Sequence, residues 1–126
     1  MKIAIRQALN KMLASREYNQ CEAKQVLQSK GYAEEDVEAV LSEYIQKGWL
    51  SNQRYIEQKV CSLMARGYGP GYVKQVLQQS KLEACLSDFS WREAYLVARR
   101  KAGKKEGMAL KRYLYRRGFT SEMMDD

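Results

Sequence analysis

The chain has 126 residues, 45% hydrophobic and 29% charged, with 22 Lys and Arg against 15 Asp and Glu, a net charge of +7 at pH 7. No apolar run approaches the ~20 residues of a membrane span, and the opening MKIAIRQALNKML is interrupted by charge with no small-residue cleavage site after it, so neither an anchor nor a secretory signal is expected. Histidine is absent, no paired-carboxylate signature, glycine-rich phosphate loop or metal-ligand spacing stands in for it, and so no enzyme, cofactor or metal site is expected.

Helical periodicity runs through the whole chain, and no segment alternates as a strand would. Ile5, Leu9, Met12 and Leu13 recur at i, i+4, i+7 and i+8, one face of a first helix that stops near Arg16–Tyr18. Asn19 is a cap for a second helix from about Gln20, with Ala23, Val26 and Leu27 facing inward and Gly31 ending it. Ala33-Glu34-Glu35-Asp36 sets three carboxylates in the first turn of a third helix, where they suit its dipole, and Val37, Val40, Leu41, Tyr44 and Ile45 form its stripe up to Gly48. Ser51 or Asn52 caps the next helix, with Tyr55, Ile56, Val60, Leu63 and Met64 buried. Gly67-Tyr68-Gly69-Pro70-Gly71 is a sharp connector whose proline fits a helix's first turn, before Val73, Val76 and Leu77. Lys81–Phe89 leaves room for a short helix around Leu82 and Leu86. Ser90 with Glu93 reads as a capping box, followed by Trp91, Ala94, Tyr95 and Ala98 on one face. Met108, Leu110, Leu114 and Phe119 supply the core of a last full helix, and any helix after it would be stunted. Trp49 and Trp91 are expected as interface core, and Cys21, Cys61 and Cys85 as small semi-buried residues in a reducing cytoplasm.

The chain also repeats itself. LASREYNQCEAKQVLQ (13–28) and LMARGYGPGYVKQVLQ (63–78) match at eight of sixteen positions with a constant offset of 50, and a weaker third copy lies at LKRYLYRRGFTSE (110–122). Such periods mark stacked helical units. The expected fold is therefore all-α: an elongated array of three tandem three-helix repeats at about 1–48, 49–89 and 90–126, forming one repeat domain.

Charge is unevenly spread: residues 1–91 carry +2, residues 92–117 carry +8 and residues 118–126 carry −3. A basic third of this kind suits phosphate or an acidic protein groove. The site expected there comprises Arg99, Arg100, Lys101, Lys104, Lys105, Lys111, Arg112, Tyr115, Arg116 and Arg117, against the alternative of a solvated helix face. Arg112 and Arg116 share one exposed face, with Lys111 and Tyr115 parallel to them. Tyr68, Tyr72, Tyr113 and Tyr115 are candidates to stack on bases or partner side chains, against the commoner reading of a buried ring with a wet hydroxyl, to which Tyr115, flanked by arginines, is the exception. The repeated Arg16/Arg66 and Lys24/Lys74 form either a positive ladder or solvated positions retained from one ancestral unit.

The ordered motifs resemble the RecX family of regulatory proteins over nearly the whole chain. Arg16-Glu17-Tyr18 resembles its "R-x-(Y/H)-S" step, and Gly31-Tyr32 with Glu35 its "kGy-x-e-e" connector. Gly48-Trp49-Leu50 with Arg54-Tyr55 is similar to "G-(Y/W)-L-(D/N)-D-x-R-(F/Y)", and Gly67-Tyr68-Gly69-Pro70 with Val73 and Leu77 to "G-x-G-P-x-x-I-x-x-x-L". Leu114-Tyr115-Arg116-Arg117-Gly118-Phe119 resembles the closing "f-L-x-x-R-G-(F/Y)". Departures are Ser51-Asn52 for the usual Asp-Asp, Asn19-Gln20 for a Ser or Thr start, and Lys81-Leu82 for "G-I". The resemblance implies a cytoplasmic, monomeric modulator that lodges in the groove of a RecA–DNA filament, promotes its disassembly and suppresses its ATPase and strand exchange, with no cofactor. The partners it implies are the RecA filament and, weakly through the basic third repeat, single- or double-stranded DNA. A direct nucleic-acid-binding helical module that needs no recombinase is the competing expectation.

Overall fold

The computed structural model describes residues 2–120. Seven α-helices follow one another: α1 (Lys2–Ser15), α2 (Gln20–Ser29), α3 (Glu34–Gln46), α4 (Asn52–Ala65), α5 (Pro70–Gln79), α6 (Arg92–Ala102) and α7 (Gly107–Arg116), with a 3₁₀ turn at Leu86–Asp88. No strand occurs among the described residues. The stunted helix expected after Phe119 lies outside them. The chain divides into two compact units, Met1–Gln58 and Lys59–Asp126, and the division falls inside α4.

In the first unit α1, α2 and α3 pack on one another around Ile5, Leu9, Met12, Ala23, Leu27, Val37, Val40, Leu41, Tyr44 and Leu50. Each fully buried aliphatic side chain of this kind contributes about 1.5–3 kcal/mol of transfer free energy. Asn19 starts α2 as the sequence predicts: its side chain accepts from the Glu22 N–H at 2.8 Å, while the Glu22 carboxylate accepts from the Asn19 N–H at 3.1 Å. A third orphan donor of that helix, the Gln20 N–H, reaches the Asn52 side-chain oxygen at 2.8 Å. Ser51 caps α4 by accepting from the Arg54 N–H at 3.2 Å. Ser51 and Asn52 thus both act as side-chain acceptors. Arg54 then binds the Glu17 carboxylate through Nε at 2.5 Å and donates to the Gly48 and Trp49 carbonyls at 2.9 and 3.0 Å, fixing the α3–α4 connection.

The second unit buries Val60, Leu63, Val73, Leu77, Trp91, Ala94, Ala98, Ala102, Leu114 and Phe119. Alanines at i, i+4 and i+8 give α6 a narrow inward face, against which α7 packs. The start of α5 has no side-chain cap; the chain after α7 caps it instead. The Gly69 N–H donates to the Arg117 carbonyl at 2.6 Å and the Gly71 N–H to the Gly118 carbonyl at 2.9 Å. Gly118 has φ +101°, and a Cβ there would collide with the Tyr72 backbone nitrogen and sit 2.9 Å from the Gly69 carbonyl oxygen. Only glycine fits that crossing. Phe119, 1% exposed, then enters the core with its ring edge-on to Tyr95.

Several expectations are corrected. The short helix around Leu82 and Leu86 is only a 3₁₀ turn at Leu86–Asp88, because the backbone leaves the helical region at Lys81, φ 58°, and again at the extended Cys85. The N-cap position of α6 is Trp91 and carries no side-chain cap hydrogen bond, so the Ser90/Glu93 box is not made. Trp91 is buried and its indole N–H donates to the Leu86 carbonyl at 2.8 Å, but Trp49 is 51% exposed: after the Gly48 turn, Leu50 takes the inward position. Met108 is 64% exposed, since it lies at i, i+4 and i+7 with Arg112 and Tyr115 and not with Leu110 and Leu114. Ile45 is also partly exposed, and Cys21, Cys61 and Cys85 are all exposed free thiols.

Candidate functional site

Nine of the ten residues singled out from the sequence have exposed side chains. Arg99, Arg100 and Lys101 form the last turn of α6, where their charge also complements the helix dipole. Lys104 and Lys105 follow in the α6–α7 connection, and Lys105 lies over the Tyr113 ring at 5.6 Å. On α7 the outward face presents Met108, Lys111, Arg112, Tyr115 and Arg116, with Tyr115 73% exposed. Lys105, Lys111, Arg112, Tyr115 and Arg116, with Ala109 and Thr120, line an open concavity of about 750 Å³. Arg112 Nε donates to the Met108 carbonyl at 3.4 Å. Convergent cations around an exposed aromatic ring can bind anionic groups, and the ring adds a stacking platform.

Arg117 is the exception. Its Nε donates to the Gly67 carbonyl at 3.1 Å, its Nη2 to the Arg66 carbonyl, and its guanidinium lies 4.1 Å from the Tyr68 ring centroid and 5.7 Å from that of Tyr113. Tyr68 in turn stacks on Tyr72 at 4.0 Å. This guanidinium is consumed inside the fold, holding the end of α7 on the 66–71 turn. Spacing alone does not separate it from Arg116, because the distinction depends on a contact about 50 residues away in sequence.

The repeated basic positions do not make a row of free cations. Arg16 covers the Tyr18 ring at 3.8 Å and Arg66 the Tyr68 ring at 5.4 Å, so the repeated Arg-x-Tyr becomes the same cation–π pair twice. Lys24 is bound to Glu38 at 2.8 Å and Glu34 at 3.4 Å, and Glu38 holds its ammonium above the ordinary lysine range. Lys74 has no carboxylate partner among the described residues. A further exposed feature, expected from sequence in the core, is Trp49: it stands edge-on to Tyr44 at 5.2 Å with Lys47 over its ring at 4.7 Å. Among the described residues no group of three His, Cys, Asp or Glu is placed to hold a metal ion, and no helix is long and apolar enough to cross a membrane.

No family model matches the chain. The protein named Regulatory protein RecX from Mannheimia succiniciproducens is 30% identical over 142 aligned residues, covering 98% of this chain and 91% of that protein. This chain belongs to the RecX family. The RecX of Pseudomonas fluorescens strain SBW25 is 29% identical, covering 97% of this chain and 88% of its own length. The RecX of Haemophilus influenzae strain PittEE is 36% identical over 70 residues, which is 56% of this chain and 46% of that protein. RecX membership makes this a regulatory protein by family.

Proposed function

We propose that this protein binds filaments of the RecA recombinase and inhibits their ATPase and strand exchange, modulating recombination and DNA repair in the cytoplasm. The observation that carries this reading is the end-to-end match with a RecX regulatory protein, 98% of this chain against 91% of that one. In this reading the protein acts as a monomer, with successive helical units lying along the filament groove and no cofactor. The exposed cations of α6 and α7, from Arg99 to Arg116, supply the charge that meets acidic filament surface or DNA phosphate. Arg117 supports them from within by seating α7. Co-sedimentation tests the claim: RecA assembled on single-stranded DNA should carry this protein into the pellet, while the same DNA without RecA should carry far less. Equal pelleting in the two cases would overturn it.

The second reading is direct nucleic-acid binding that needs no recombinase. Its support is Tyr115, 73% exposed between Lys111, Arg112 and Arg116, an arrangement suited to an unstacked base beside its phosphate.

A further inference from the structure

One stretch of sequence occurs twice, and only one copy has a helix laid on it by the unit it belongs to in the way its charges call for. Lys24-Gln25-Val26-Leu27-Gln28 in α2 is identical to Lys74-Gln75-Val76-Leu77-Gln78 in α5. Around the first copy, α3 packs on α2 with an acidic start: Lys24 Nζ is 2.8 Å from Glu38 and 3.4 Å from Glu34, and Leu27 shares a core with Val37, Val40 and Leu41. The offset of 50 would put the counterpart of α3 at residues 84–96, but the chain there makes only the 3₁₀ turn at Leu86–Asp88 before α6 begins at Arg92. Lys81 makes the same left-handed turn, φ 58°, that Gly31 makes in the first unit at φ 88°, so the two copies part only after it.

What remains beside α5 is an open groove of about 520 Å³ lined by Lys74, Leu77, Gln78, Leu82, Ala84 and Leu86, with Glu83 also at its edge. Leu82, Ala84 and Leu86 are half-buried, and Lys74 is exposed with no carboxylate partner among the described residues. A groove of this size receives several side chains of a docked helix. We infer that it binds an amphipathic α-helix of a partner protein, one that carries two carboxylates one turn apart for Lys74 and apolar residues for Leu82 and Leu86. Charge complementarity sets the chemistry of the occupant, because the identical five-residue stretch in the first unit takes a helix with carboxylates at that spacing. Glu83 also lines the groove and repels a carboxylate placed beside it, so the occupant's carboxylates belong at Lys74. The inference stands independently of the recombinase reading, since it names a helix chemistry and not RecA.

The test uses the ¹⁵N-labelled full chain and, as a surrogate of that chemistry, a peptide of residues 33–48 stapled across positions 35 and 39. Saturable amide shifts are expected at Lys74, Gln78, Leu82 and Leu86. Lys74→Glu, at an exposed site, should weaken binding about fivefold, and a peptide carrying Glu34→Lys and Glu38→Lys should recover it. Shifts confined to Lys24–Gln28 would mean exchange with the native α3 and would overturn the inference, as would no shift at ~1 mM peptide. Sedimentation of the chain alone gives the other refuting result: self-association abolished by Lys74→Glu would mean a second copy fills the groove.

Discussion

Gly118→Ala is the perturbation that the second unit should tolerate least for its size. The methyl group would have to occupy space held by the Tyr72 backbone nitrogen and the Gly69 carbonyl oxygen, neither of which is the end of a flexible side chain. Relief requires the 117–119 segment to move off the start of α5. That breaks the hydrogen bonds from the Gly69 and Gly71 N–H groups, 2.6 and 2.9 Å in the native fold, each worth about 0.5–1.5 kcal/mol net. A non-glycine residue at positive φ adds about 1–3 kcal/mol of strain, and partial withdrawal of Phe119 takes the expected loss to about 3–5 kcal/mol. Gly31→Ala is the control: φ there is +88°, but nothing lies within 4 Å of the point its methyl group would reach, so strain alone should cost about 1–2 kcal/mol. The assay is urea unfolding followed by helical circular dichroism, which reports on both units, with Trp91 fluorescence in a Trp49→Phe background as the buried reporter of the second. If Gly118→Ala lost no more stability than Gly31→Ala, the capping of α5 by the chain after α7 would be wrong.

Lys81→Gly should raise stability by about 0.5–1 kcal/mol, because Lys81 sits at φ 58° in a turn whose counterpart is Gly31; a lower urea midpoint would contradict this. Tyr44 is 2% exposed, and burial, with the Glu43 charge beside it, raises its phenol above the ordinary value of 10.0. A raised folded value means the neutral phenol's stabilisation is whole below pH 10 and is lost as pH rises through the folded value. Tyr44→Phe, which gives up the hydroxyl's bonds to Asn10 and the Arg6 carbonyl, should therefore be less stable at neutral pH by about 1 kcal/mol, with the gap closing under alkali; a constant gap in urea midpoints across that range would refute it. Arg112→Glu with Arg116→Glu should weaken binding to bare DNA strongly and flatten its salt dependence. Arg117→Gln should lower the thermal midpoint instead, and indistinguishable effects of the two variants on both readouts would collapse the division between outward and inward arginines.

How much is legible in the sequence follows from the range of the interactions involved. The caps at Asn19 and Ser51, the acidic start of α3 and Pro70 at the first position of α5 are local signals, and each helix begins where they say. Charge placement is legible for the same reason: residues on the outward face of one helix share it by period alone, as Arg112, Tyr115 and Arg116 do. Met108 belongs to a different stripe of α7 from the one its apolarity suggests, and Trp49 loses to Leu50 because a tight turn buries only one of two adjacent apolar residues. Arg117 is beyond local reasoning altogether, since its role depends on carbonyls at Arg66 and Gly67. The missing helix after α5 is masked by Leu82 and Leu86, whose spacing fits a helical turn although the backbone leaves the helical region at Lys81 and Cys85.

Regulation of RecA, the function proposed for this chain, is tested by the single-stranded-DNA-dependent ATPase of RecA from the same source, with the protein added below one copy per RecA. Inhibition at such ratios is the predicted result, because a protein bound along or at the end of a filament affects many subunits at once. Undiminished ATPase at equal stoichiometry would contradict the account.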